Sequence, residues 1–136
     1  MSRVFIDTNV LVYAEDEDAG VKRERARKRL TDLIRRGDAV LSTQVLQEFF
    51  AIAVRKLGLQ SEEARARIEL LARLEVVVIR PPLIMAAIDL HRLRKLSFWD
   101  ALIVKTAAEA GCTRLLSEDL SHGQVLEGVR IENPFL

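Results

Sequence analysis

The chain has 136 residues, 49% of them hydrophobic and 30% charged, with 21 Lys and Arg against 20 Asp and Glu. That length suits one domain spanning residues 1–136, large enough to fold on its own core. With 6 Gly and 3 Pro, the composition excludes disordered and collagen-like classes, and a net charge of +1 excludes a polycation that holds nucleic acid by bulk charge alone.

Val4–Ile6 predicts a short buried strand ending at Asp7, after which Thr8 or Asn9 can cap a short helix through Val10–Ala14. The acidic run Glu15–Asp18 reads as a loop. Ala26, Leu30, Leu33 and Ile34 then form an apolar stripe at helical spacing that stops at Gly37, with Val21 off the period and the start of the helix left open. Ala39–Leu41 is a second strand, followed by a helix capped by Ser42 or Thr43 and running through Leu57 to Gly58. Ser61 caps a further helix with Glu62 and Glu63 in its first turn. The Val-Val-Val-Ile run within Glu75–Ile79 predicts a strand buried on both faces. Pro81 and Pro82 end it, and a helix follows to about Leu96. Ser97 to Asp100 open another helix that runs to Ala110 and stops at Gly111. Arg114–Ser117 is a fourth strand and Val129–Ile131 a weak fifth. Short apolar strands alternating with helices predict an α/β fold with a mainly parallel sheet.

A single cysteine, Cys112, permits no intrachain disulfide and fits a reducing cytosol. The longest uncharged run, Ala39–Gln47, is far short of a membrane span. The start of the chain meets a charge too early for a secretory leader. The expectation is a soluble cytoplasmic protein with no membrane partner.

In parallel α/β sheets, sites form beyond the carboxyl ends of the strands. Asp7 directly follows the first strand, Asp119 lies two residues past the fourth, and Asp100 is in the first turn of a helix. Each has a plain structural reading: a cap or Asx turn for Asp7, a capping-box acid with Ser97 for Asp100, an ordinary turn acid for Asp119. Their common placement at one rim is what points to chemistry. Glu48 differs. Leu46, Phe49, Phe50, Ala53 and Leu57 share a helical face, and Glu48 lies opposite with Gln44, Ala51 and Arg55, so periodicity alone makes it a solvated glutamate. Carboxylates brought close together repel unless protonated or bridged by a cation, and oxygen donors with few histidines favour Mg²⁺ or Mn²⁺ over zinc. Such an ion supports hydrolysis of a phosphodiester.

Four blocks carry a resemblance: Phe5-Ile6-Asp7-Thr8-Asn9-Val10-Leu11-Val12-Tyr13-Ala14, Leu41-Ser42-Thr43-Gln44-Val45-Leu46-Gln47-Glu48-Phe49, Ser97-Phe98-Trp99-Asp100-Ala101-Leu102-Ile103 and Leu116-Ser117-Glu118-Asp119-Leu120. In this order and at these intervals, covering nearly the whole chain, they resemble the PIN-domain ribonucleases, and within them the VapC-type toxins of toxin–antitoxin pairs. The resemblance implies a three-layer α/β/α fold around a mainly parallel sheet of four to five strands, with the site at its carboxyl rim. It implies that Asp7, Glu48, Asp100 and Asp119 are metal-binding, catalytic carboxylates, with Thr8, Asn9 and Ser117 bracing them. Ser117 stands where many relatives have Thr, which keeps the hydroxyl. It further implies an Mg²⁺- or Mn²⁺-dependent endoribonuclease acting on transfer or ribosomal RNA, homodimeric and neutralised by a cognate antitoxin.

Four other features bear on function. Lys22–Arg36 carries eight Lys and Arg against Glu24 and Asp32; the plain reading is a solvated face, the functional one a helix that steers RNA phosphates. His91 and His122, far apart and without partner cysteines, read as ordinary hydrogen-bonded histidines, although His122 lies just after Asp119. Phe98 and Trp99 read as core rather than as a base-stacking platform, and Cys112 as a small buried apolar group. Two rival functions stand beside the nuclease. A phosphoaspartate phosphatase would need Asp-x-Asp, which Asn9 breaks. A non-catalytic RNA- or protein-binding module would keep the acids without turnover.

Overall fold

The computed structural model describes residues 2–136. Strand β1 (Val4–Ile6) is three consecutive buried apolar residues at the centre of a sheet of order β3-β2-β1-β4-β6-β5. Its neighbours β2 (Ala39–Ser42) and β4 (Arg114–Leu116) both run parallel to it, pairing Val4 with Ala39 and with Arg114. Beyond β2 lies β3 (Glu75–Val77), and beyond β4 lies β6 (Val129–Glu132), each parallel to its inner neighbour. Only β5 (Val125–Leu126) is antiparallel, hairpinned onto β6.

Six helices fill the connections: α1 (Thr8–Glu15), α2 (Val21–Arg36), α3 (Thr43–Arg55), α4 (Ser61–Leu71), α5 (Pro81–Leu93) and α6 (Phe98–Glu109). Chain direction sorts them. The β1-to-β2 and β2-to-β3 crossovers step one way across the sheet, and the β3-to-β4 crossover steps back. Right-handed connections then put α1 to α4 on one face and α5 with α6 on the other. The packing agrees, since α1 meets α2 and α3, α3 meets α4, and α5 pairs with α6. The expected three-layer α/β/α architecture is present.

The differences from expectation are local. There are six strands rather than four to five, because β5 is an added two-residue strand. The Val-Val-Val-Ile run is not buried on both faces: β3 is an edge strand, Glu75 is exposed, and Val78 beyond it is exposed too. Asp7, not Thr8 or Asn9, caps α1, and Gln60, not Ser61, caps α4 through a reciprocal box with Glu63. Of the two caps named for α3 it is Ser42, whose hydroxyl accepts from Val45 N–H at 3.2 Å. Helix α3 ends at Arg55 and α5 at Leu93, each a few residues early. Gly37 ends α2 in the left-handed region at φ 75°, as the stop signal required. No helix among the described residues is long and apolar enough to cross a membrane.

Candidate active site

The point where chain progression reverses lies between β1 and β4, and in open parallel sheets the crevice beyond the carboxyl ends there is the natural site. Asp7 leaves β1 at this point and Ser117 leaves β4, tied together by Asp7 N–H donating to Leu116 C=O at 3.0 Å. Asp7 is buried. One carboxyl oxygen accepts from its neighbour Thr8 N–H at 2.7 Å, and the other accepts from Ser117 Oγ, also at 2.7 Å. Ser117 Oγ in turn accepts from Asp119 N–H at 3.2 Å, which fixes the turn carrying the second acid.

Asn9, the second residue of α1, donates from Nδ2 to Asp119 at 3.0 Å and accepts from Glu118 N–H at 3.4 Å. Thr8 Oγ1 donates to Glu48 at 2.6 Å, reaching across to α3. Gln44, one helical turn before Glu48, donates to the other carboxylate oxygen at 3.3 Å and approaches Trp99 C=O at 3.4 Å. Asp100 starts α6. Its N–H donates to Ser97 Oγ at 3.0 Å, the forward half of the expected capping box, while its half-buried carboxyl faces the same cleft. A cleft of about 870 Å³ is lined by Asp7, Glu48, Asp100 and Asp119 together with Thr8 and Asn9. All seven residues expected at the site therefore meet there, Ser117 from behind Asp7.

The apolar face that periodicity assigned to this helix does pack on the core through Leu46, Phe49, Ala53 and Leu57, with Phe50 the exception, and Glu48 reaches the cleft from the opposite face. Gln44, Val45, Phe49 and Ala53 are buried, while Phe50 is 39% exposed. The far side of the helix, taken for solvent, is a wall of the cleft, where Gln44, Glu48, Ala51 and Arg55 stand in line.

The electrostatics follow from crowding. Burial pushes the Asp7 carboxyl up to about 7, the charges of Asp119 and Glu48 add to the rise, and the bonds from Ser117 and Thr8 oppose it. Burial likewise raises Asp100, with Asp119 and Glu48 again adding and Ser97 opposing. Among the described residues, none of the eight ion pairs includes any of the four acids, so no Lys or Arg is bonded to them. Nor do three His, Cys, Asp or Glu groups close into a compact metal cage. Still, the donor set fits a hard divalent ion. It is all oxygen, and an open ring suits an ion that keeps several waters and takes one or two carboxylates directly. The buried Gln44 Oε1 is without a hydrogen-bond partner among the described residues.

Other residues resolve plainly. His91 Nδ1 lies 2.5 Å from Leu96 C=O and His122 Nδ1 accepts from Asn133 N–H at 3.0 Å; neither lines the cleft. Cys112 is buried, and burial pushes its thiol up to about 11, so it stays protonated. Trp99 is a correction: it is 60% exposed and lines the cleft, so it is not a core residue. Most cations of α2 are engaged within the chain. Lys22 pairs with Glu118, Arg29 with Glu132 and Arg36 with Asp32, while Arg25 donates to the Phe135 and Leu136 carbonyls and Arg27 to Ala14 C=O. Sequence reasoning missed Gln44, Arg55 and Lys56 as cleft residues. The available signal was their shared spacing with Glu48, legible only once that face is known to be a wall.

Fold and site together define a class: parallel α/β domains with an acid-lined cleft at the topological switch point. The chain belongs to the PIN domain family, which matches residues 4–125. No curated protein sequence matches it. Among solved structures, the fold is shared with the sarcin-ricin loop cleaving toxin VapC20 of Mycobacterium tuberculosis, at TM-score 0.70 and 22% identity over 93% of this chain and 98% of that one. It is shared equally with the DNA-bound VapBC of Salmonella typhimurium, at TM-score 0.70 and 22% identity over 98% and 99%. A toxin–antitoxin complex from Klebsiella pneumoniae aligns at TM-score 0.68 and 20% identity over 98% of both chains.

Proposed function

We propose that this chain is a metal-dependent endoribonuclease, the toxin of a toxin–antitoxin pair, hydrolysing RNA phosphodiester bonds at the Asp7, Glu48, Asp100 and Asp119 cleft. One observation carries the reading: four carboxylates from separate parts of the chain face one cleft, bonded only to neutral donors and paired with no cation. Membership of the PIN family and the shared fold of the toxins above support it. A cognate antitoxin as partner, a homodimer, and action in the cytoplasm on transfer or ribosomal RNA belong to the same proposal.

Asp7, Glu48, Asp100 and Asp119 are the residues that would hold the ion. Bound there, Mg²⁺ or Mn²⁺ supplies an activated water and neutralises charge on a phosphoryl oxygen. Ser117 and Thr8 fix the Asp7 carboxyl so that its position does not depend on the ligand. Asn9 and Thr8 hold Asp119 and Glu48 at a set separation from it. Asp100, braced only from its own cap, is the carboxylate free to take the proton of the attacking water. Attack by water leaves 5′-phosphate and 3′-hydroxyl ends.

The test is cleavage of RNA by the purified protein with Mn²⁺ or Mg²⁺, with and without chelator, beside Asp7→Asn and Asp100→Asn. Cleavage should need the ion and fall to background in both variants. Cleavage that survives chelation or either substitution defeats the mechanism, and Mn²⁺ binding without any turnover of RNA favours the binding-only module instead.

A further inference from the structure

We propose that the two ends of the cleft are nucleotide subsites for single-stranded RNA, Arg55 and Lys56 taking backbone phosphates and the exposed indole of Trp99 stacking on a base; this rests on the ribonuclease reading. The cleft runs along α3. At the N-terminal end of that helix, Gln44 touches Trp99 C=O; one turn on stands Glu48; at the far end stand Arg55, in the last turn, and Lys56, the C-cap. Eleven residues separate Gln44 from Arg55, about 16 Å at the ~1.5 Å helical rise. That length accommodates up to about five nucleotides at the ~3.4 Å rise of a stacked strand.

Charge makes the far end distinctive. The walls of the cleft carry the four acids and, at the rim, Asp16 and Asp18, whereas Arg55 and Lys56 are its only Lys or Arg among the described residues. Neither cation is in an ion pair among the described residues, and Asp16, one oxygen of which accepts from Asp18 N–H at 3.0 Å, pairs with neither. A polyanion entering a cleft with this many carboxylates meets favourable charge only at these two side chains. The basic helix α2 offers no substitute, because none of its residues lines the cleft.

At the near end, Trp99 is 60% exposed and adjoins Asp100. Phe98 backs it edge-on, ring centres 5.0 Å apart at 74°, which steadies the indole without covering it. An exposed, braced aromatic beside an acidic centre is a stacking platform that tolerates any base and requires that base to be unpaired. The track therefore selects single strands and loops over duplex.

Trp99 is the only tryptophan of the chain, so its fluorescence reports the near end directly. The full-length protein is titrated with a short single-stranded RNA of mixed sequence in chelator at low ionic strength, where no turnover removes the probe. Quenching of Trp99 is expected, with little from the same sequence as a duplex. In parallel, fluorescently labelled RNA measures affinity against salt for the wild type, Arg55→Gln/Lys56→Gln, Trp99→Ala and Trp99→Phe. The double variant should lose about 1.4 from the slope of log K on log salt, at ~0.7 per phosphate contact on a single strand. Trp99→Ala should weaken binding on the order of tenfold with the slope unchanged, and Trp99→Phe should recover most of it. If Arg55 and Lys56 served only the dipole of α3, the double variant would lose thermal stability and keep its salt slope, which overturns the proposal. Emission that blue-shifts as protein alone is concentrated means a second copy covers Trp99, and this too overturns it. Metal-dependent cleavage without quenching or slope change defeats the subsites alone, whereas quenching and slope change without cleavage defeat the nuclease reading and leave the subsites standing.

Discussion

Asp7 carries two roles that pull against each other. As the N-cap of α1 it satisfies Thr8 N–H, and as a buried acid it is held by Ser117, yet its carboxyl sits at about 7 because burial and the neighbouring acids penalise its charge. A folded-state value raised above the unfolded one means that the native protein keeps a proton the unfolded chain has lost. Stability of the ion-free protein should thus fall as pH rises from about 4 through 7 and level off above that. Asp7→Asn removes the titration and keeps an acceptor for Thr8 N–H. In urea denaturation with chelator, it should match the wild type near pH 4 and exceed it at pH 8, by on the order of a few kcal/mol. A variant less stable at both pH values would show that the carboxylate is not penalised. Single residues were legible here to the extent that their place in the chain decided their role. Asp7 and Asp119 follow strands, and position alone marked them. Glu48 was invisible to periodicity because the wall of a cleft and the surface of a protein carry the same polar face. Trp99 was misread because large aromatics usually fill cores, and nothing local shows that Phe98 takes the packing and leaves Trp99 outside.

Helix α3 is the element on which the site depends most, since Gln44, Glu48, Arg55 and Lys56 all hang from it or its cap. Its entry is set by Ser42, wholly buried, with Oγ accepting from Val45 N–H. Ser42→Ala leaves that N–H without a partner in a dry place and should cost about 1–2 kcal/mol in urea denaturation. Because α3 is the strut for Glu48, ion-dependent cleavage should drop more in this variant than in a core variant of equal measured stability loss on α2. Equal losses would separate the cap from the site. Elements were legible where pattern and punctuation agreed, as with α2 ending at Gly37. They failed where the decisive fact lay in a partner strand. The run at β3 is as apolar as a central strand, but β3 has a neighbour on one side only. Strand β5 was hidden by its turn: Glu127 and Gly128 both have positive φ, 51° and 80°, the geometry of a tight two-residue hairpin, and glutamate at such a position is not the Asn or Asp that signals one.

At the scale of the molecule, a net charge of +1 is the sum of unlike regions, and the fold decides which charges matter. The cations of α2 are largely committed to Glu118, Glu132, Asp32 and the carbonyls of Phe135 and Leu136, so they fasten the C-terminal segment and the Asp119 turn rather than confront the cleft. The acid ring is charge that no ion pair commits, and its repulsion is a free-energy cost that a cation entering the cleft relieves. An ion that binds the folded chain alone stabilises it by about 2.7 kcal/mol at a hundred times its Kd. For a chain of this size that is on the order of 10 °C in Tm. Mn²⁺ should therefore raise Tm by that order at pH 8. Protons compete for Asp7 below about 7, so the gain should shrink at pH 6, with affinity falling as much as tenfold per pH unit. Chelator should reverse the gain, and Asp7→Asn combined with Asp100→Asn should abolish it at both pH values. Thermal unfolding decides the matter without any RNA present: an unchanged Tm at pH 8 with saturating Mn²⁺ would mean that the acids repel one another without holding an ion.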